Sequence, residues 1–331
     1  MRHSKIYQGE HQMKKTIASL SVSAMALAAS AAHAETWDLA LAYSATNYHS
    51  EIAAEFAAEV TANSELEVVP HAGGSLFAGS EIFGAVRRGL APMGERLISA
   101  LSNDDPIYEI DSVPFLATGF DGAMALYQAS RPALEETLNE AGLHFLYSCP
   151  WPPQGFYSVK EAADMEALAG LKFRAYNATT SRMAEGLGMV PTTIEAAELS
   201  QAFATGVAES MISSGSTGYD RSLWEHVDYF YDVQAWLPRN MVIVNQGAWD
   251  GLDASTQGVI ETAAATAETK CWSKAEELSG WYLEQFAENG MTLGTLPEPV
   301  AAEFQAVGAE LRNDWLERIG ERGQAIVDQL Q

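Results

Sequence analysis

A lone arginine closing an apolar strand is the residue of this chain best placed to do chemistry. In Leu168-Ala-Gly-Leu-Lys-Phe-Arg174 the guanidinium ends a short hydrophobic run, with Asn177 as a polar neighbour. A guanidinium offers two parallel N–H groups to a carboxylate, a contact that is strong where water is excluded. The alternative role for Arg174 is an ion pair with one of many surface acids. Arg96 stands at the end of another strand, either as a second positive group for an anion or as a partner of neighbouring Glu95. Catalytic signatures are absent: there is no HExxH, no G-x-S-x-G, no Walker loop and no GxGxxG after a strand. Gly186-Leu-Gly188 runs on to Pro191, which removes a dinucleotide reading. His49, His71, His144 and His226, the histidines beyond residue 34, have no metal-ligand spacing. Acidic pairs such as Asp104-Asp105 could form a carboxylate dyad, yet among so many acids a solvated pair is the simpler account. No cofactor is implied.

The chain has 331 residues, 44 acidic against 19 basic side chains, and a formal charge of −25. That balance, without a basic stripe, excludes nucleic acid as a partner and disfavours anionic membranes. Lys14 and Lys15 precede an uncharged stretch ending in Ala32-His33-Ala34, the pattern of an export signal over residues 1–34. Met13 directly before the lysines marks residues 1–12 as an upstream start extension. These 34 residues carry four basic and one acidic side chain, so the remainder bears −28. A soluble, exported protein in the periplasm is expected. Cys149 and Cys271 are either buried thiols or one disulfide.

Elements that would position the arginines follow from hydrophobic period. Thr36–Tyr43 alternates as a strand, 48–62 has helical spacing, 66–70 is a second strand, 80–88 a helix and 91–98 a third strand. This β-α-β-α-β opening predicts an α/β fold with a largely parallel sheet, whose ligands sit at the carboxyl ends of strands. A second set starts at Leu143, with strands near 144–148, 155–159, 171–175, 190–194, 210–213 and 240–245. No flexible linker divides the sets, which predicts two lobes joined by hinge strands around a cleft. From Ala254 to about Glu288 no proline interrupts a helical pattern capped by Asp253 or Ser255. At ~1.5 Å per residue it is long enough to span both lobes. The expected division is 35–155 with about 244–275 for lobe I and 156–243 with about 276–331 for lobe II.

Several ordered segments together resemble the solute-binding proteins of tripartite ATP-independent periplasmic (TRAP) transporters, the C4-dicarboxylate type. The run ending in Arg174 resembles that family's L-x-G-L-K-[IF]-R, Glu67-Val-Val-Pro-His-Ala-Gly-Gly-Ser-Leu76 its strand and glycine turn, and Glu109-Ile-Asp-Ser-Val-Pro-Phe-Leu116 its D-x-P-F-L. Ala204-Thr-Gly-Val-Ala-Glu209 and Val244-Asn-Gln-Gly-Ala-Trp249 resemble two further family segments. The resemblance implies two α/β lobes of the periplasmic-binding-protein fold closing on a small organic anion held by Arg174. It also implies partnership with small and large integral membrane subunits. Where family members have G-F-R this chain has Gly155-Phe156-Tyr157, and Ser213 stands where asparagine is frequent. These departures argue against a ligand with several charges and leave hydroxyls of Tyr157, Ser213 and Ser214 beside one carboxylate anchor. Trp151, Phe156, Tyr157, Tyr176, Tyr219 and Trp236 crowd the same region, and flat apolar walls suit a monocarboxylate with an aromatic or apolar body. Asn47, Tyr48 and His49, after the first strand, are candidates to touch the ligand from the other lobe, with a helix N-cap as the alternative for Asn47. The remaining readings are a binder of a dicarboxylate, keto or hydroxy acid, or an exported hydrolase or lyase.

Overall fold

The computed structural model describes residues 35–330; the expected export signal lies outside them. Among the described residues, eleven strands form two sheets. In chain order they are β1 Glu35–Ala40, β2 Leu66–His71, β3 Met93–Leu97, β4 Leu143–Pro150, β5 Gln154–Ser158, β6 Lys172–Ala175, β7 Val190–Thr193, β8 Ser210–Ser214, β9 Tyr229–Tyr231, β10 Arg239–Asn245 and β11 Thr292–Gly294. The first sheet has the order β2-β1-β3-β10-β4 and the second β11-β9-β5-β8-β6-β7. Each is the centre of one lobe.

The opening β-α-β-α-β is present, with β1 parallel to β2 and to β3. The helix Tyr48–Asn63 buries Ile52, Phe56 and Val60, the residues whose spacing predicts it. The segment from Leu143, which opens the second set of strands in sequence, belongs to the first lobe as the expected division has it. It is the edge of the first sheet rather than the start of the second, because it pairs antiparallel with β10 across some ninety positions of chain. That pairing, and β10 against β3, makes the first sheet mixed.

The chain crosses between the lobes at Trp151–Pro153 and at 232–238, and the crossings are hydrogen-bonded to each other. Trp151 N–H donates to Pro238 O at 2.8 Å, Gln154 N–H to Trp236 O at 2.9 Å and Ala235 N–H to Gln154 O at 3.0 Å. These are the hinge strands, and they place β10 wholly in the first lobe. The helix Ala254–Glu288 is a third crossing. Asp253 caps it, its Oδ1 accepting N–H bonds from Ser255 and Thr256. Its Ile260 to Ala275 pack into the first lobe, while Phe286 packs under the second. The helix Glu298–Ile319 crosses back: Phe304 meets Phe156 of the second lobe, and Trp315 Nε1 donates to Pro106 O at 2.9 Å in the first. Trp315, Ile319 and Ile326 therefore pack in the first lobe, unlike the expected assignment of 276–331 to the second. Cys149 of β4 and Cys271 of the long helix form a disulfide, with Cα atoms 5.1 Å apart.

Candidate functional site

A cavity of about 360 Å³ lies between the lobes. Three strand ends of the first lobe reach it: Ala42 and Tyr43 after β1, the Gly73-Gly74 turn after β2, and Arg96 and Leu97 at the end of β3. From the second lobe come Arg174 and Tyr176 at the end of β6, Glu195 after β7, and Ser213 and Ser214 at the end of β8. Trp151, Gln154 and Pro238 of the hinge strands close the back. Carboxyl ends of strands converge from both sheets, as open α/β sheets arrange a ligand site.

Arg174 is 4% exposed. Its Nε donates to Ile194 O at 2.9 Å, and its guanidinium carbon lies 5.1 Å above the Tyr176 ring. Burial pushes its pKa down to about 10, against the pull of Tyr176, Glu195 and Tyr43, so it stays charged at neutral pH. Among the described residues it forms no salt bridge. The surface ion pair is therefore not what the fold provides. One edge of the guanidinium is fixed by backbone, and the rest faces the cavity side of the strand.

Arg96 lines the opposite wall, and its Nε is buried with no hydrogen-bond partner. The alternative pairing with Glu95 is absent, because successive strand side chains point to opposite faces. Glu95 instead binds His49, Oε1 to Nδ1 at 2.9 Å. Tyr176 is held in place from two sides: its hydroxyl accepts from Trp236 Nε1 at 2.9 Å and donates to Gln154 Oε1 at 3.3 Å. Trp151 donates from Nε1 to Asn240 Oδ1 at 2.9 Å and meets Tyr43 edge to face at 4.7 Å. Burial and the nearby Glu95 push the Tyr43 hydroxyl up to about 12, so it is a neutral donor. Ser214 Oγ accepts Thr217 N–H at 3.1 Å as the cap of the helix Gly215–Asp220, leaving Ser213 as the less committed hydroxyl.

The other sequence candidates lie behind this surface. Tyr157 is fully buried: its hydroxyl donates to Ser214 O at 2.7 Å, beneath Gly218, where an added Cβ would fall 2.3 Å from that oxygen. It braces the β8 end rather than facing the cavity. Trp236 reaches the site only through Tyr176. His49 stacks under Trp151 at 4.0 Å, and Tyr48 bonds His49 at 3.0 Å and also Pro150 O, so both form a layer one residue deeper. Asn177 caps the helix Ala178–Gly186, its Oδ1 accepting Thr180 N–H at 2.8 Å. Its Nδ2 crosses to Ser99 Oγ of the first lobe at 2.9 Å. Asn47 combines its cap of the helix Tyr48–Asn63 with an interlobe bond, Nδ2 to Asp220 Oδ2 at 2.7 Å. Phe156 and Tyr219 are not among the lining residues either. Sequence reasoning passed over Tyr43, Gln154, Thr217 and Glu195. Position after a strand marks Tyr43, but nothing in local sequence separates Glu195 from the other acids.

A two-lobed binding protein with an arginine from each lobe in an interlobe cavity is the class that fold and site define. The chain belongs to the bacterial extracellular solute-binding proteins, family 7 (DctP), whose family profile matches residues 41–318. It is a solute-binding protein and not an enzyme. A marine metagenome TRAP solute-binding protein, described as specific for pyroglutamate and solved with co-purified pyroglutamate, is 46% identical. That match covers 90% of this chain and 99% of the other, with a TM-score of 0.88. A Bordetella pertussis extracytoplasmic solute receptor binding pyroglutamic acid is 42% identical over 89% of this chain and 99% of its own, with a TM-score of 0.87. The ectoine/5-hydroxyectoine-binding periplasmic protein UehA of Ruegeria pomeroyi is 22% identical over 323 residues, 95% of each chain. Among the described residues, no helix is long and apolar enough to cross a membrane.

Proposed function

We propose that the protein captures a small cyclic monocarboxylate of the pyroglutamate type in the periplasm and delivers it to the small and large membrane subunits of a TRAP transporter. Residues 1–34 serve as the export signal in this reading. The observation that carries it is Arg174, a buried guanidinium with its Nε bound to backbone and no acidic partner among the described residues. Desolvated charge of this kind is costly unless an anion completes it, and a carboxylate fits a guanidinium edge bidentately. The pyroglutamate named for the two relatives above 40% identity has one carboxylate, which a single anchor at Arg174 suits.

The finer expectation of an aromatic body gives way to a small ring with a polar edge. The cavity's aromatic surface is limited to Tyr43, Trp151 and Tyr176, whereas Phe156, Tyr157, Tyr219 and Trp236 serve elsewhere. Ligand contact with both lobes favours closure, since only the closed state makes both sets of contacts. A thermal-shift series with pyroglutamate, benzoate and succinate tests this reading. Pyroglutamate should raise the melting temperature most, because a ligand of the folded state alone stabilises it. Greater stabilisation by succinate or benzoate would replace the ligand class.

A further inference from the structure

An acid in a cavity built for an anion needs an explanation. Glu195, an exposed residue of the cavity lining, sits near Arg96: a Cβ placed on Gly79 would lie 3.5 Å from Arg96 Nη1 and 3.8 Å from Glu195 Oε2. Its charge is also felt at Arg174 and Tyr43. No salt bridge occupies it among the described residues. Beside a bound carboxylate it would only repel, unless the same ligand presents a hydrogen-bond donor to it.

Several other acceptors at the wall are engaged within the fold. Glu198 Oε2 takes the Glu195 backbone N–H at 3.3 Å, Gln154 Oε1 takes the Tyr176 hydroxyl at 3.3 Å, and Ser214 Oγ takes Thr217 N–H. Glu195 and Glu198 both line the cavity and cap one short helix reciprocally, and Glu195 is the one whose charge reaches Arg174 and Tyr43. Arg174 supplies the carboxylate end of a ligand site and Glu195, from the same lobe, an acceptor beside it. We infer that Glu195 is the specificity-determining residue, accepting the ring N–H of a lactam acid whose carboxylate is held at Arg174. The same charge repels a second carboxylate and so excludes dicarboxylates of similar length. This inference rests on the carboxylate anchor proposed above.

The test is calorimetry on the exported protein and its Glu195→Ala variant with two ligands. One is pyroglutamate; the other is 3-oxocyclopentane-1-carboxylate, in which a methylene replaces the ring N–H. A hydrogen bond to a charged acceptor predicts that the wild type prefers pyroglutamate by about tenfold or more. Glu195→Ala should bring the two ligands within about twofold, mainly by weakening pyroglutamate. Glu195 is exposed, so the variant is expected to fold. Equal wild-type affinity for both compounds, or a preference that survives in Glu195→Ala, overturns the role of Glu195 while leaving the carboxylate anchor standing. Wild-type protein that binds neither compound overturns the anchor and this inference with it.

Discussion

Two buried arginines, Arg174 in the cavity and Arg239 behind the hinge, look alike by burial and differ in what balances them. They are 4% and 1% exposed, and each guanidinium lies near a tyrosine face, Tyr176 at 5.1 Å and Tyr127 at 4.7 Å. Burial lowers both pKa values. Arg239, however, has Asp111 beside it: Oδ2 lies 3.7 Å from Nε and accepts the Arg239 backbone N–H at 2.8 Å. Arg174 has only a backbone carbonyl. One charge has a carboxylate counterion at ion-pair distance, although its guanidinium nitrogens make no hydrogen bond among the described residues, and the other has no carboxylate partner among them. Low exposure and an aromatic neighbour are thus common to both, and the missing counterion is what sets Arg174 apart.

That contrast separates into opposite mutant phenotypes. Replacing Arg239 by Ala strands a buried carboxylate and should cost roughly 3–5 kcal/mol of stability in urea denaturation, with ligand affinity of the folded fraction little changed. Replacing Arg174 by Ala should weaken carboxylate binding by about 100-fold or more, near 3 kcal/mol, with denaturation little affected. If both variants lose stability alike, the two sites are not distinct.

The pH dependence of the hinge pair sharpens the same comparison. Burial raises Asp111 to about 6, against the pull of Arg239, while the unfolded chain titrates near 4. Between those values the folded protein holds a proton that the unfolded chain has released. This carboxyl's contribution to stability is therefore full below pH 4 and lost as pH rises through 6, by roughly 3 kcal/mol. The stability of wild type relative to Asp111→Asn should fall by about that amount from pH 4 to 7, and a constant difference would contradict the assignment. Smallest is the effect of Asn47→Ala, which removes a helix cap and the bond to Asp220. About 1 kcal/mol of stability should go, with severalfold faster ligand release in stopped-flow experiments.

How much of this was legible in sequence depends on how far apart the deciding residues lie. Arg174 was legible because its strand, its glycine and its neighbours are contiguous, and the helix Ala254–Glu288 because a capping Asp253 and absent prolines are local signals. Tyr157 was misplaced because the face of β5 that meets the cavity is set by β8 and by the close approach of Gly218, sixty positions away. Tyr48 and His49 follow the first strand as expected but form the first turn of the helix Tyr48–Asn63, and Glu95 and Pro150 draw them one layer deeper. The pairing partner of β4 was hidden for the same reason, since it is β10, about ninety positions on. That pairing and the long helix bring Cys149 to Cys271, a choice spacing alone left open. The bond closes a loop long enough to contribute about 4–5 kcal/mol by chain entropy. The helix Gly119–Glu140 carries Pro132 within it, which breaks the usual sequence pattern.

The central claim is that Arg174 reads a carboxylate. It is tested most directly by calorimetric titration of wild type and Arg174→Ala with pyroglutamate and with its uncharged carboxamide. The account predicts that wild type prefers the acid by about 100-fold or more and that Arg174→Ala loses most of that preference. Equal binding of acid and amide by the wild type, or an undiminished preference in Arg174→Ala, would contradict it.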